Sequence, residues 1–121
     1  MIDRLDEVQE LLEEIYDEID KVYFNKLNGG IVIEENICYH PRGKNKELIC
    51  LGAYRKDLMG RSIVIYYGSI MEVFSYLTKE QLKEKLREVL LHELTHHLEF
   101  LAGENDLVIE DEKYIKEHLN E

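Results

Sequence analysis

The sequence contains few of the residues that break or cross-link a chain. It has no Trp, one Pro, two Cys and seven Gly among 121 residues. The scarcity of Pro and Gly leaves no room for a long linker. Apolar residues make up 45% and charged residues 34%, which is ordinary for a globular protein and argues against disorder. We therefore expect one folded domain that spans residues 1–121.

The two cysteines, Cys38 and Cys50, are too few for a disulfide scaffold. Their spacing does not match a metal-binding cysteine motif either. They would face each other across a hairpin if the segments that carry them were neighbouring strands. We interpret them as reduced residues that contribute to packing.

Basic residues are also scarce, since 15 Lys and Arg stand against 26 Asp and Glu, for a net charge of -11. This balance argues against nucleic-acid and anionic membrane partners, because both require a basic surface. No apolar run approaches the ~20 residues of a membrane span. Residues 1–7 lack the positive start of a secretory signal, and no apolar run follows them. We expect a cytoplasmic protein.

Hydrophobic periodicity predicts a helix over residues 2–24, where apolar residues recur at helical spacing with acids between them. Three runs rich in β-branched and aromatic residues follow and predict strands. They cover residues 31–39 (31–33 leading to 37–39), 48–54 and 62–67. A basic loop, residues 40–46, joins the first two runs, and a short helix is expected over residues 69–76.

The longest helix is predicted to begin after Thr78, which with Gln81 forms the pattern of a capping box. It runs to about Ala102, and Gly103 suits a left-handed position after the last turn. A final amphipathic segment over residues 110–119 predicts a short C-terminal helix. A helix, three strands and further helices in this order predict an α+β domain.

The long helix carries the pattern His-Glu-x-x-His at residues 92–96. A spacing of four brings His92 and His96 over one another on one helical face, where two imidazoles can share a tetrahedral zinc. Glu93 lies beside that position and can act as general base towards water whose pKa zinc lowers to about 7. The pattern also arises by chance on charged helices. Here, however, three of only five histidines fall within six residues, at the edge of an apolar face.

His97 projects to the middle of the apolar face, between Leu94 and Leu101. We interpret it as a core histidine bonded to a backbone carbonyl. A catalytic zinc usually has a third protein ligand. The candidates are acidic residues that follow the two histidines, of which we favour Asp106 first, with Glu104 close behind and Glu99 also possible.

The segment His92-Glu93-Leu94-Thr95-His96-His97, after a small sheet in a short chain, resembles the minimal zincin family of bacterial metallopeptidase-like proteins. The resemblance implies zinc ligation by His92 and His96 and a base role for Glu93. It also implies an extended peptide held at a sheet edge. Three tyrosines of this sequence are candidate donors to a tetrahedral oxyanion, with packing as the more common role of such residues. Those tyrosines are Tyr66, Tyr67 and Tyr76.

The family pattern continues with Gly-x-x-Asp, whose Asp is the third ligand. In this sequence that element is displaced by four residues. Glu99 stands where the family has Gly, and the element appears only as Gly103 to Asp106. The displacement is about one extra helical turn, which keeps Glu104 and Glu99 as alternatives to Asp106.

The expected function is that of a zinc metallopeptidase of the His-Glu-x-x-His zincin type, acting on a peptide or protein substrate. The alternative is a zinc-binding regulatory or interaction domain with little or no proteolytic activity, which the small size of the chain favours. Hydrolysis of a non-peptide amide or a deamination is a third possibility, although the Pro-Cys-x-x-Cys element of zinc deaminases is absent. The sequence leaves the oligomeric state open.

Overall fold

The computed structural model describes residues 3–39, 48–58 and 60–103. Helix α1 spans Leu5–Glu18, and a short 3-10 turn follows at Lys21–Phe24. Helices α2 and α3 span Tyr67–Phe74 and Lys79–Ala102. The strands are β1 (Gly30–Glu34), β2 (Cys38–Tyr39), β3 (Ile49–Cys50), β4 (Gly52–Asp57) and β5 (Gly60–Tyr66). The predicted α+β class is confirmed.

Strand β5 is the centre of a three-stranded sheet with the order β1-β5-β4. It pairs with β1 in parallel, with Val32 opposite Val64, and with β4 in antiparallel, with Gly52 opposite Ile65. Strands β2 and β3 form a separate antiparallel pair. Within the described chain, β1 and β4 are therefore the two edges of the larger sheet.

The core lies between one face of this sheet and the helices. Because side chains alternate along a strand, Ile63 and Ile65 of β5 share that face, and both are fully buried. The apolar stripe of α1 and that of α3 pack against each other over them. The buried members are Val8, Leu11, Leu12 and Ile15 of α1 and Leu82, Leu86, Leu90 and Leu94 of α3.

Charged residues connect the same two helices at the surface. Lys83 of α3 contacts Glu14 and Glu18 of α1 at 2.9 and 2.7 Å, and Arg87 contacts Glu18 at 2.6 Å. Exposed ion pairs contribute little stability individually. Here they lie beside the apolar contact between α1 and α3.

The structure changes several predicted boundaries. Tyr67, predicted at the end of a strand, begins α2, which spans Tyr67–Phe74 and not residues 69–76. The first helix is shorter than residues 2–24, because Ile19 is extended and the Asp20 carboxylate accepts the backbone N–H of Val22, which begins the separate 3-10 turn. The second predicted strand is split at Leu51 into β3 and β4. The reason is a change of partner, since β3 pairs with β2 whereas β4 pairs with β5.

The last turn of α3 also differs from expectation. Gly103 has φ -167 and is extended, so the expected left-handed position is wrong, although its N–H still bonds the Glu99 carbonyl at 3.0 Å. The start of α3 is as predicted. The predicted loop at residues 40–46 and the C-terminal helix at 110–119 lie outside the described residues. Among the described residues, no helix is both long and apolar enough to span a membrane.

The capping box at Thr78 gives a direct test of the fold. The Thr78 hydroxyl accepts the Gln81 N–H at 3.2 Å, and the Gln81 side chain accepts the Thr78 N–H at 3.0 Å. Thr78→Ala removes the hydroxyl acceptor, so we expect it to lower the free energy of unfolding by about 1 kcal/mol. Urea denaturation measures this change. Thr78→Ser keeps the acceptor, and an equal loss in both variants would contradict the assignment.

Candidate metal centre

Helix α3 positions the candidate ligands at one end of the sheet. His92 and His96 lie one helical turn apart, as their spacing predicts. Their Nε2 atoms are 3.1 Å apart, and the two rings stand edge to face at 87°. Both histidines therefore direct the same ring nitrogen to one point beside the helix.

Glu93 completes a compact group of possible metal ligands. One ligand atom from each of His92, Glu93 and His96 lies within 4.8 Å of the others. Glu93 and His96 are buried, at 8% and 7% exposure, and His92 is half-buried. Among the described residues this is the one such group of three or more. The three residues singled out by the motif are thus brought together.

The donor set fits a zinc ion. Zn–N bonds of about 2.0–2.1 Å in a tetrahedral shell place two ligand nitrogens roughly 3.3–3.4 Å apart. The 3.1 Å between the two Nε2 atoms needs only a small rotation of either ring to reach that value. The buried Glu93 carboxylate adds a negative charge beside the two imidazoles, and that charge favours a cation.

A glycine lets α3 approach the sheet at the level of Glu93. A Cβ at Gly52 of β4 would lie 2.8 Å from Val89 Cγ1, 3.0 Å from the Val64 carbonyl oxygen and 3.5 Å from Glu93 Cγ. Any side chain there would push the helix away from the strand. The sequence reasoning did not identify Gly52 as part of the site, although a glycine inside a strand is a sign of close backbone approach.

His97 has a different role, as predicted. It is fully buried, and its Nε2 is 2.8 Å from the Asn25 carbonyl oxygen while its Nδ1 is 2.8 Å from the Tyr54 hydroxyl. A carbonyl can only accept, so Nε2–H is the donor and Nδ1 accepts the Tyr54 O–H. Both ring nitrogens are used. His97 therefore connects α3 to β4 and to the 3-10 turn.

Of the three candidates for the third metal ligand, the structure describes only Glu99. Glu99 is exposed and does not join the group formed by the two histidines and Glu93. Asp106 and Glu104 lie outside the described residues, so the third ligand stays a prediction.

The three tyrosines have different surroundings. The Tyr67 hydroxyl accepts the Arg4 N–H at 2.7 Å and donates to Asp3 at 3.0 Å, so it is used at the start of α1. Tyr76 is 79% exposed. Tyr66 contacts Cys38 and Arg55. None of these contacts is with His92, Glu93 or His96.

An α+β fold with a His-Glu-x-x-His helix packed on a small sheet defines a zincin-like domain. The chain belongs to the zincin-like metallopeptidase family, whose model matches residues 47–114, more than half of the sequence. This confirms the resemblance drawn from residues 92–97.

One solved structure extends the fold comparison. It is a conserved hypothetical protein from Thermus thermophilus, 28% identical to this chain, with a TM-score of 0.67. The alignment covers 83% of this chain and 98% of that one. Comparison with curated proteins gave no match.

The adjacent pair His96 and His97 provides a matched test of the metal centre. We expect His96→Ala to lose bound zinc, because it removes one of the two imidazole donors. His97→Ala should keep about one zinc per chain but lower the free energy of unfolding by about 2–3 kcal/mol, because it removes a fully buried side chain and both of its hydrogen bonds. Elemental analysis and urea denaturation measure the two effects.

Tyr54→Phe serves as a milder control for the same interaction, since it removes only the hydroxyl donor to His97. It should retain zinc and lose about 1 kcal/mol of stability. Loss of zinc in the Tyr54 variant, or retention of zinc in His96→Ala, would contradict the division of roles.

Proposed function

We propose that the protein is a zinc-dependent metallopeptidase that cleaves peptide bonds by attack of water. The observation that carries the proposal is the pair of Nε2 atoms 3.1 Å apart with the buried Glu93 carboxylate beside them. Membership of the zincin-like metallopeptidase family supports the same reaction class. No nucleophilic serine or cysteine is required by this chemistry.

His92 and His96 would hold the metal ion. Two neutral imidazoles are donors that suit zinc, and Glu93 lies beside the metal position without serving as a ligand. When bound, zinc supplies Lewis acidity and lowers the pKa of water to about 7, so that hydroxide is available at neutral pH.

Glu93 is the general base of the proposed reaction. Its carboxylate takes a proton from the attacking water and later delivers a proton to the leaving amine. Contact of its side chain with the Gly52 position, together with burial, limits the directions in which the carboxylate can turn. Such restriction favours proton transfer because the accepting oxygen is already oriented.

Strand β4 is the proposed docking edge for substrate. It is an edge strand within the described sheet, and its first residue, Gly52, contacts α3 beside Glu93. An extended peptide can add to such an edge through main-chain hydrogen bonds. The substrate is therefore a peptide or an unfolded protein segment.

The same proposal places the protein in the cytoplasm, without a nucleic-acid or membrane partner. The net charge of -11 supports the absence of these two partners, because a strongly acidic surface repels the phosphate groups of nucleic acids and lipids. We also propose a bacterial source, because the minimal zincins that the sequence resembles are bacterial. The alternative of a zinc-binding regulatory domain predicts the same metal site without turnover.

Substitution of the proposed base separates these two functions. Glu93→Gln keeps the size of the side chain and one acceptor oxygen but cannot take up a proton at neutral pH. We expect hydrolysis of a fluorescence-quenched peptide library to fall by about 10²–10⁴-fold, with zinc content unchanged.

Glu88→Gln is the matched control, because Glu88 is an exposed glutamate on the same helix. It should leave turnover unchanged. Full turnover in Glu93→Gln would overturn the base assignment. Absence of turnover in the zinc-loaded wild-type protein would favour the regulatory alternative.

The third ligand can be assigned by metal affinity. We propose Asp106, with Glu104 as the alternative, and expect Asp106→Asn to weaken zinc binding while Glu104→Gln and Glu99→Gln leave it unchanged. Competition with a fluorescent zinc chelator measures the dissociation constants. A loss confined to Glu104→Gln would assign that residue instead.

A further inference from the structure

Two thiols face each other next to the metal centre. Cys38 of β2 lies directly opposite Cys50 of β3 in an antiparallel pair, and both are free and half-buried. Opposed residues in such a pair have Cβ atoms about 4.5–5.5 Å apart. A disulfide needs Cβ atoms about 3.5–4.5 Å apart, so a small approach of the two strands is sufficient to form one.

Hydrogen bonds hold Cys38 in place from two sides. Its backbone N–H donates to Ser69 Oγ at 2.8 Å, and Ser69 is fully buried. Its side chain also interacts with the Cys50 thiol and with the Tyr66 hydroxyl. Cys38 is therefore the member of this small group that both of the others contact.

Burial has a large effect on the thiol of Cys50. Burial raises the pKa of its thiol to about 12, and the charges of Cys38 and Glu93 act in the same direction. Cys50 stays protonated at neutral pH and is a poor first nucleophile. We therefore assign Cys38, which lies opposite Cys50 and also interacts with Tyr66, as the attacking residue, and Cys50 as the residue that resolves the product.

We propose that Cys38 and Cys50 form a redox-active dithiol site that reacts with low-molecular-weight disulfides of the glutathione type. The Cys38 sulfur attacks the small disulfide, its proton passes to the departing thiol, and a mixed disulfide forms at Cys38. The Cys50 sulfur then attacks the Cys38 sulfur, and the second small thiol leaves with the Cys50 proton. Two protein thiols are oxidised to one disulfide, and one small disulfide is reduced to two thiols.

This site is separate from the proposed hydrolytic site and does not depend on it. The group of possible metal ligands in the described chain contains His92, Glu93 and His96 but neither cysteine. The two sites are nevertheless close. Leu51 alone separates Cys50 from Gly52, where a Cβ would lie 2.8 Å from Val89 Cγ1 and 3.5 Å from Glu93 Cγ.

The test uses the purified, zinc-loaded full-length protein and oxidised glutathione as the probe. We expect the intact mass to fall by that of two hydrogens, and dithiothreitol to restore it. Tryptic mapping should find the peptide with Cys38 joined to the peptide with Cys50, within one chain. Zinc content should not change during the reaction.

Single variants test the order of attack. Cys50→Ser leaves the attacking residue without its resolving partner, so the glutathione adduct should accumulate on Cys38. Cys38→Ser removes the attacking residue, so Cys50 should react at least about tenfold more slowly than Cys38 does in the first variant. Serine differs from cysteine by one atom, and circular dichroism of both variants checks that they are folded.

Several results would overturn the proposal. Adducts that persist on both cysteines of the wild-type protein, disulfides formed only between chains, or no reaction at all would each show that the pair is not a dithiol site. Release of zinc on oxidation, or protection of the thiols by zinc, would assign the cysteines to the metal centre instead.

Discussion

The candidate site depends on how closely helix α3 is held against strand β4. Gly52 removes the side chain that would separate them, since a Cβ there would lie 2.8 Å from Val89 Cγ1. His97 adds two buried hydrogen bonds, to Tyr54 on the strand and to the Asn25 carbonyl. Each helical residue is rotated by about 100° from the last, so His96 projects in a different direction from its neighbour His97.

Adjacent histidines consequently have different chemistry on one helix. His97 satisfies both ring nitrogens with protein groups and is fully buried. His92 and His96 instead direct Nε2 to a common point, and Glu93 lies against the same point. Two neighbouring residues of one helix thus serve two separate functions, His97 in packing and His96 in the candidate metal centre.

Residues 50–52 connect the thiol pair, a hydrogen bond to the end of β5 and the start of β4. Cys50 faces Cys38 in the small sheet, and the Leu51 carbonyl accepts the Tyr66 N–H at 3.0 Å. Gly52 then begins β4, where a Cβ would lie 3.5 Å from Glu93 Cγ. The thiol pair and the strand edge proposed to bind substrate are therefore two residues apart along the chain. The negative charge of Glu93 already acts on Cys50, whose pKa it helps to raise.

The sequence by itself determined the elements whose signal is local. The spacing of His92 and His96, the capping box at Thr78 and the apolar position of His97 each depend on residues within one helix, and all three were predicted. Tertiary structure alone decided the change of strand partner at Leu51, the close approach at Gly52 and the effect of the Glu93 charge on Cys50. These features depend on which distant segments meet, and periodicity along one chain carries no information about that.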